Sequence, residues 1–427
     1  MTRNEGNHIK INKSTKESGE RSMRVAAGIS GRGIGRAMAA LLALVMLSSL
    51  WAIAGSAVAQ APASTDMTTR AKQAILLDAN TGAVLFQHNA DELAPPASMS
   101  KLMTLAVIFR ALKEGRIKPE DEILFSVNAW RTGGAPSGTS AMFVPVNTKE
   151  PLSEVLKGIV IQSGNDACIA VAEAMAGTEA AFAKMMTDEA RRLGLPKSTF
   201  RNATGLHDPE HLMTARELAL LARHLIQDYP DQYPLFAERE YRYRKHRFFN
   251  RNPLLALDLG VDGLKTGYIK EAGYGLVASA KQDSRRVILV INGMEDATAR
   301  RNEAARLLEW GFKGFADFKL FDAEEVVGRA RVWGGDRMYV PLVGASEITV
   351  LLPKAQSGQR LSAQIVYNSP LKAPIRKGDV IAKLRVTTAS QTVNEVPLAA
   401  GEDVPAAGTM RRGLDTLVHM AFGWVLR

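Results

Sequence analysis

Cysteine is all but absent from this chain: Cys168 is the only one among 427 residues. No intramolecular disulfide can form in any redox compartment, so the fold must rest on its apolar cores. Ala, Ile and Val surround Cys168, the setting of a small core residue and not of an activated thiol. Histidine is scarce as well, with seven copies. His207 and His211 stand four apart, but Pro209 between them disfavours a helix and no HExxH pattern occurs. They are assigned to a polar loop following Asn202-Ala-Thr-Gly-Leu206, and neither a metal nor an organic cofactor is called for. The chain also lacks internal repeats and low-complexity tracts, which argues against a solenoid.

The basic excess is concentrated at one end. The formal net charge is +10, but residues 1–36 hold eight Lys/Arg against three Glu, a local net of +5. Ala37 to Ala54 is then an apolar run, and Ala57-Val58-Ala59 offers a small-x-small cleavage site before Gln60. Residues 1–59 read as a secretory signal peptide; an uncleaved anchor is the alternative, and Met23 is a second candidate start. No paired arginine precedes the apolar run. The remainder is mildly basic, so nucleic-acid binding has no support from charge.

What is present is a set of three short motifs that supply a nucleophile, a base and an anion clamp. Ser98-Met99-Ser100-Lys101 follows Pro95 and Pro96, which cannot continue a helix, and opens a stretch to Leu112 that is rich in helix formers and apolar nearly all round. Residues i and i+3 share a helix face, so the Lys101 amine would reach the Ser98 hydroxyl. A serine hydroxyl needs a neighbouring base at neutral pH, and a lysine serves as one only when desolvation or nearby positive charge lowers its pKa. The apolar run supplies the first, the helix N-terminus and Lys265 the second. The bland alternative is a lysine snorkelling to the surface.

Ser163-Gly164-Asn165 has small and apolar residues on both sides from Leu152 to Ala176, as for polar groups presented between two buried helices. Ser163 would pass a proton between Lys101 and a leaving amine, while the Asn165 amide would orient Lys101 and bond the substrate backbone. Ser-Gly-Asn is also ordinary helix-end chemistry. Lys265-Thr266-Gly267 falls within Val261 to Ile269, the first strand of an antiparallel meander continued by Tyr274 to Ala280 and Arg286 to Asn292. Gly267 has no side chain, so a substrate would lie along this strand with Lys265 and Thr266 facing its terminal carboxylate. Backbone N–H groups of Ser98 and Tyr268 are then candidates for an oxyanion hole. An exposed turn lysine is the alternative.

The chain resembles the serine-type D-alanyl-D-alanine carboxypeptidases, low-molecular-mass penicillin-binding proteins that trim peptidoglycan stem peptides. The resemblance rests on PPASMSKLMT around Ser98, SGND at Ser163 to Asp166, NRNPLL from Asn250, VDGLKTGYIKEAGYGLVASA from Val261 and the LLEWGF ending at Phe312. It implies Ser98 as acyl-enzyme nucleophile, Lys101 as its proton acceptor, Ser163 and Asn165 as second motif, and Lys265 and Thr266 as substrate-binding groups. Arg300 resembles the family's carboxylate-binding arginine, with Arg301 beside it as competitor. The expected reaction removes the terminal D-alanine of a stem pentapeptide, with β-lactams as acylating inhibitors. A DD-endopeptidase or β-lactamase on the same scaffold, or a non-catalytic wall-binding scaffold, are the alternatives. SGN in place of SDN, and no Glu-x-x-Leu-Asn element between the second and third motifs, argue against a class A β-lactamase.

The expected fold is α+β. Residues 60–318 would form a penicillin-binding/β-lactamase-like catalytic domain, in which an antiparallel sheet, including a hairpin over Ala74 to His88, packs with helices and a helical subdomain. Glu179 to Leu193 and Thr214 to Gln227 carry helical periodicity. Short β-rich runs broken by Gly, Pro and Asn then suggest a small all-β sandwich over residues 319–406. In residues 410–427, Leu414, Leu417, Val418, Ala421 and Val425 share one helical face, so an amphipathic helix about 27 Å long would lie on a membrane surface or pack on its own β domain. The expected location is extracytoplasmic, peripheral on the outer face of the cytoplasmic membrane.

Overall fold

A computed structural model describes residues 5–10, 67–354, 362–387 and 392–408. The chain divides into a compact unit over residues 63–315 and a second unit built from residues after 315 together with strand β1 (Glu5–Lys10). The remainder of the expected leader and the amphipathic helix expected over residues 410–427 lie outside the described residues.

The larger unit is built on a five-stranded antiparallel sheet. Strands β2 (Gln73–Asp78), β3 (Val84–His88), β8 (Val261–Ile269), β9 (Gly273–Gln282) and β10 (Arg285–Met294) take the order β3-β2-β10-β9-β8. Both faces of the inner strands are covered, which is why β2 and β10 are near-continuous apolar runs instead of alternating ones. Ile75, Leu77, Ile288 and Val290 join the main core. Leu76, pointing the other way, meets α7 (Ala297–Lys313), where a Cβ on Gly311 would lie 2.6 Å from the Leu76 side chain. Among the described residues no strand pairs with the outer edge of β8.

Helix α1 (Lys101–Lys113) runs through the main core with ten of its thirteen residues buried. It packs on α5 (Glu179–Arg192) and α6 (Ala215–Asp228). Both of those begin at threonine caps, Thr178 accepting from the Ala181 N–H and Thr214 from the Glu217 N–H. Helices α2 (Val127–Gly133), α3 (Leu152–Lys157) and α4 (Asn165–Ala176) complete the helical part. Two small ribbons flank it: β4 (Glu122–Leu124) with β5 (Lys149–Pro151), and β6 (Glu240–Tyr243) with β7 (His246–Phe249).

The second unit is all-β. Strands β11 (Phe315–Phe321) and β14 (Ile348–Pro353) pair with each other. The other strands join one seven-stranded sheet that also takes in β1, and residues of both sheets, among them Val350, Leu352, Leu384 and Leu398, share one apolar core. The run Val380–Thr387 alternates, with Ala382, Leu384 and Val386 inward and Lys383 and Arg385 outward, as a half-buried strand requires.

Candidate active site

The first motif sits on a forced turn. Pro95 and Pro96 block a helix running in, Ala97 takes φ 51, and a 3₁₀ turn over Ala97–Ser100 hands over to α1 at Lys101. Lys101 is fully buried. Its Nζ donates to Ser98 Oγ at 3.0 Å, to Asn165 Oδ1 at 2.7 Å and to the Thr204 carbonyl at 2.5 Å, which matches the three donors of an ammonium. Burial, opposed by Cys168, Glu179 and Asp166 and helped by the Arg251 guanidinium, lowers its pKa to about 8. Relative to an ordinary lysine, that shift raises the neutral fraction at pH 7 by about 300-fold. Arg251 is a cation beside Lys101 that the sequence did not point to, and Lys265, which it did, is coupled to Lys101 by the same repulsion.

The Thr204 carbonyl is held by its loop. Asn202 Oδ1 accepts from the Thr204 N–H at 3.1 Å and the Gly205 N–H at 2.7 Å. Gly205 has φ 79, and a Cβ on it would lie 2.0 Å from the Ala97 oxygen, so only glycine lets the loop close on the nucleophile turn. His211, in the same loop, is buried; its Nδ1 accepts the Arg201 N–H at 3.3 Å and burial lowers its pKa to about 4.

The second motif follows a π-helical turn, Gly158–Gln162, that ends with Ser163 in the left-handed region at φ 63. Turns of this kind concentrate at functional sites because they re-aim one side chain at a cost of order 1–3 kcal/mol. Ser163 is buried and its Oγ makes no hydrogen bond. Asn165 is fixed on three sides: Oδ1 holds Lys101, Nδ2 donates to Thr139 Oγ1 at 2.9 Å, and its N–H donates to the Ser140 carbonyl at 2.7 Å. The Asp166 carboxylate accepts the N–H groups of Met142 (2.8 Å) and Phe143 (3.0 Å), pinning the loop that brings Thr139 and Ser140 in. Burial raises its pKa despite these bonds.

The third motif lies on the edge strand. Lys265 and Thr266 are buried, and burial, with Lys101 and Arg251 nearby, holds the Lys265 pKa well below the lysine range. Among the described residues no carboxylate pairs with its amine. Gly267 requires a correction. The expectation placed its missing side chain opposite the substrate, but a Cβ there would lie 2.8 Å from the Pro96 oxygen and 3.2 Å from the Ala97 Cβ. The glycine lets β8 press against the nucleophile turn. Tyr268 is exposed, its ring 4.2 Å from that of Tyr274, and the Arg300 guanidinium lies 5.7 Å from the Tyr274 ring. Arg300 is buried on α7, with Nη1 3.5 Å from the Gly275 carbonyl and Nε unpartnered, whereas Arg301 faces solvent.

Thr139, Ser140, Thr204 and Arg251 were not assigned from the motifs. Arg251 Nη1 donates to Ser140 Oγ at 2.8 Å and its charge depresses both site lysines. A signal for it existed in Asn250-Arg251-Asn252: Asn252 caps a 3₁₀ turn and donates to the Gly263 carbonyl at 2.8 Å, tying this segment to β8.

Comparison with known proteins identifies the family of both parts of the chain. Residues 57–296 match the family model described as D-alanyl-D-alanine carboxypeptidase, and residues 315–406 match that of the penicillin-binding protein 5 C-terminal domain. The chain is 37% identical over 391 residues to the D-alanyl-D-alanine carboxypeptidase DacC of Escherichia coli K12, covering 91% of this chain and 96% of that one. DacA of the same organism is 33% identical, covering 83% and 88%. The crystal structure of penicillin-binding protein 5 from Haemophilus influenzae superposes with a TM-score of 0.71 at 33% identity, over 80% of this chain and 99% of the other. A half-buried Ser98 held by the buried Lys101, which Asn165 braces, on a fold shared with these proteins, makes the chain a hydrolase that belongs to the D-alanyl-D-alanine carboxypeptidase family.

Proposed function

We propose that Ser98 is the nucleophile of this D-Ala-D-Ala carboxypeptidase, that it forms an acyl-enzyme with the stem pentapeptide, and that penicillins acylate the same oxygen. The observation that carries the reading is the 3.0 Å contact between Ser98 Oγ and a buried amine whose pKa is lowered to about 8. Neutral Lys101 takes the hydroxyl proton as Oγ attacks the carbonyl carbon of the penultimate D-alanine. The C–N bond then breaks, the proton passes to the leaving amine through Ser163, and water later hydrolyses the ester. The orphaned Ser163 Oγ fits a relay that acquires its partner only with substrate bound. N–H groups of Ser98 and Tyr268 would hold the oxyanion, each donor contributing about 3 kcal/mol. Lys265, Thr266 and Arg300 would receive the terminal carboxylate, while Gly267 lets their strand stand close to Ser98.

Replacing Ser98 by Ala is expected to abolish labelling by a fluorescent penicillin and release of D-alanine. Labelling at one site that persists in the variant, located by peptide mapping, would refute the assignment.

The pH dependence follows from Lys101. The base form is the neutral amine, so the acylation rate should climb about tenfold per pH unit below 8 and level off above it. A stopped-flow profile that is flat from pH 6 to 9 would contradict Lys101 as proton acceptor.

Lys265 is a buried amine without a carboxylate partner among the described residues, so binding is gained at the expense of stability. Its folded-state pKa lies below the unfolded value of a lysine, so the burial penalty is full below the folded pKa and shrinks as pH rises from there towards 10.5. Lys265→Met should stabilise the fold by roughly 0.5–2 kcal/mol at pH 7, less at pH 10, and weaken substrate binding. Urea unfolding at the two pH values checks this; a destabilised variant would disprove it.

Residues 1–59 are read as directing export and residues 410–427 as lying on the outer face of the membrane, where stem peptides are found. Cell fractionation that leaves the chain in the cytoplasm would overturn this placement.

A further inference from the structure

The β6–β7 ribbon carries a surface that the reaction above does not use. Residues 238–251 contain six Arg/Lys and two Glu. Strand alternation sorts them. Tyr241, Tyr243 and Phe248 turn inward, with the Tyr241 hydroxyl donating to Glu154 at 2.8 Å and the Tyr243 hydroxyl to Glu150 at 2.5 Å. Arg242, Arg244, Lys245 and Arg247 are exposed.

Two features of the ribbon work against its own stability. Arg242 and Arg247 are directly opposite each other across the strands, a like-charge pair that costs free energy. The connecting turn is Arg244-Lys245, and Arg244 takes φ 51 where a two-residue hairpin turn favours glycine. Arg244 and Arg247 reach Glu150 and Glu240, whereas Arg239, Arg242 and Lys245 have no carboxylate partner among the described residues. Cations held together under strain, and partly unpaired, form a surface suited to an anion that the chain itself does not supply.

The ribbon also stands beside the site. The Phe143 ring stacks on His246 at 5.1 Å and on Phe248 at 6.3 Å, and the Phe143 N–H is held by Asp166, next to Asn165. The same loop supplies the Thr139 and Ser140 contacts to Asn165 and Arg251. The cationic ribbon is thus joined by stacking to the loop that braces the second motif.

We propose that the outward face of this ribbon binds carboxylates of neighbouring stem peptides on the same wall polymer, making polymeric peptidoglycan a better substrate than free pentapeptide. The inference rests on the carboxypeptidase reading and concerns which form of its substrate is favoured. An interaction of this kind is long-range and screened, so it should act on KM and fade with salt.

The test compares D-alanine release from uncross-linked polymeric peptidoglycan and from free pentapeptide, for the unaltered protein and for Arg242→Ser/Lys245→Ser. The double variant should lose about 5–10-fold in kcat/KM on polymer at low salt and little at 0.5 M salt, with free pentapeptide turnover unchanged. Arg242→Lys in the single-site background should retain polymer turnover, because charge and not shape is read. Equal kcat/KM on polymer for the double variant and the unaltered protein would overturn the proposal. Co-sedimentation of Ser98→Ala with polymer, with and without the ribbon substitutions, reads the surface even if turnover is absent. Loss of binding to phosphatidylglycerol vesicles with unchanged polymer co-sedimentation would give the ribbon to the membrane instead and also overturn it.

Discussion

The arrangement depends on keeping one amine out of water. Lys101 is fully buried, and an ammonium in such a place is tolerated only when all its donors are used. Ser98, Asn165 and Thr204 use them. Each of these partners comes from a different segment, so the hydrogen-bond demand of a single side chain fixes the relative positions of the α1 turn, the start of α4 and the 202–205 loop. Desolvation and satisfaction act in opposite directions on its proton. Full burial releases it, three acceptors hold it, and the balance lies near neutrality, where a base is most effective.

Around that amine the backbone is held in conformations that ordinary residues avoid. Ala97, Phe143 and Ser163 all have positive φ, and each borders one wall of the site. The framework that maintains them is stiff: a sheet covered on both faces, a core helix buried along most of its length, and Asp166 holding the 139–144 loop by its N–H groups. Strain collects at the walls because the core leaves it nowhere to relax.

Much of this was legible in the sequence, for reasons that differ by element. The meander and the hairpin expected over Ala74 to His88 show as apolar runs broken by turn residues, and α5 and α6 by helical periodicity. The Ser98–Lys101 contact follows from i, i+3 spacing alone. The family resemblance was carried by the motifs and is matched over both parts of the chain. What could not be read were contacts made by backbone or across long separations. The Thr204 carbonyl has no side-chain signature, and Thr139 and Ser140 reach Asn165 only because Asp166 folds their loop. Gly267 was recognised as a required glycine, but the neighbour that requires it is the Pro96–Ala97 turn, which only coordinates reveal.

That turn is enclosed by glycines on two sides, Gly205 from the loop and Gly267 from the strand, with backbone oxygens closer to each than a methyl group allows. Added bulk at either position would press on the backbone that carries Ser98, so these two glycines set how closely the loop and the strand can approach it.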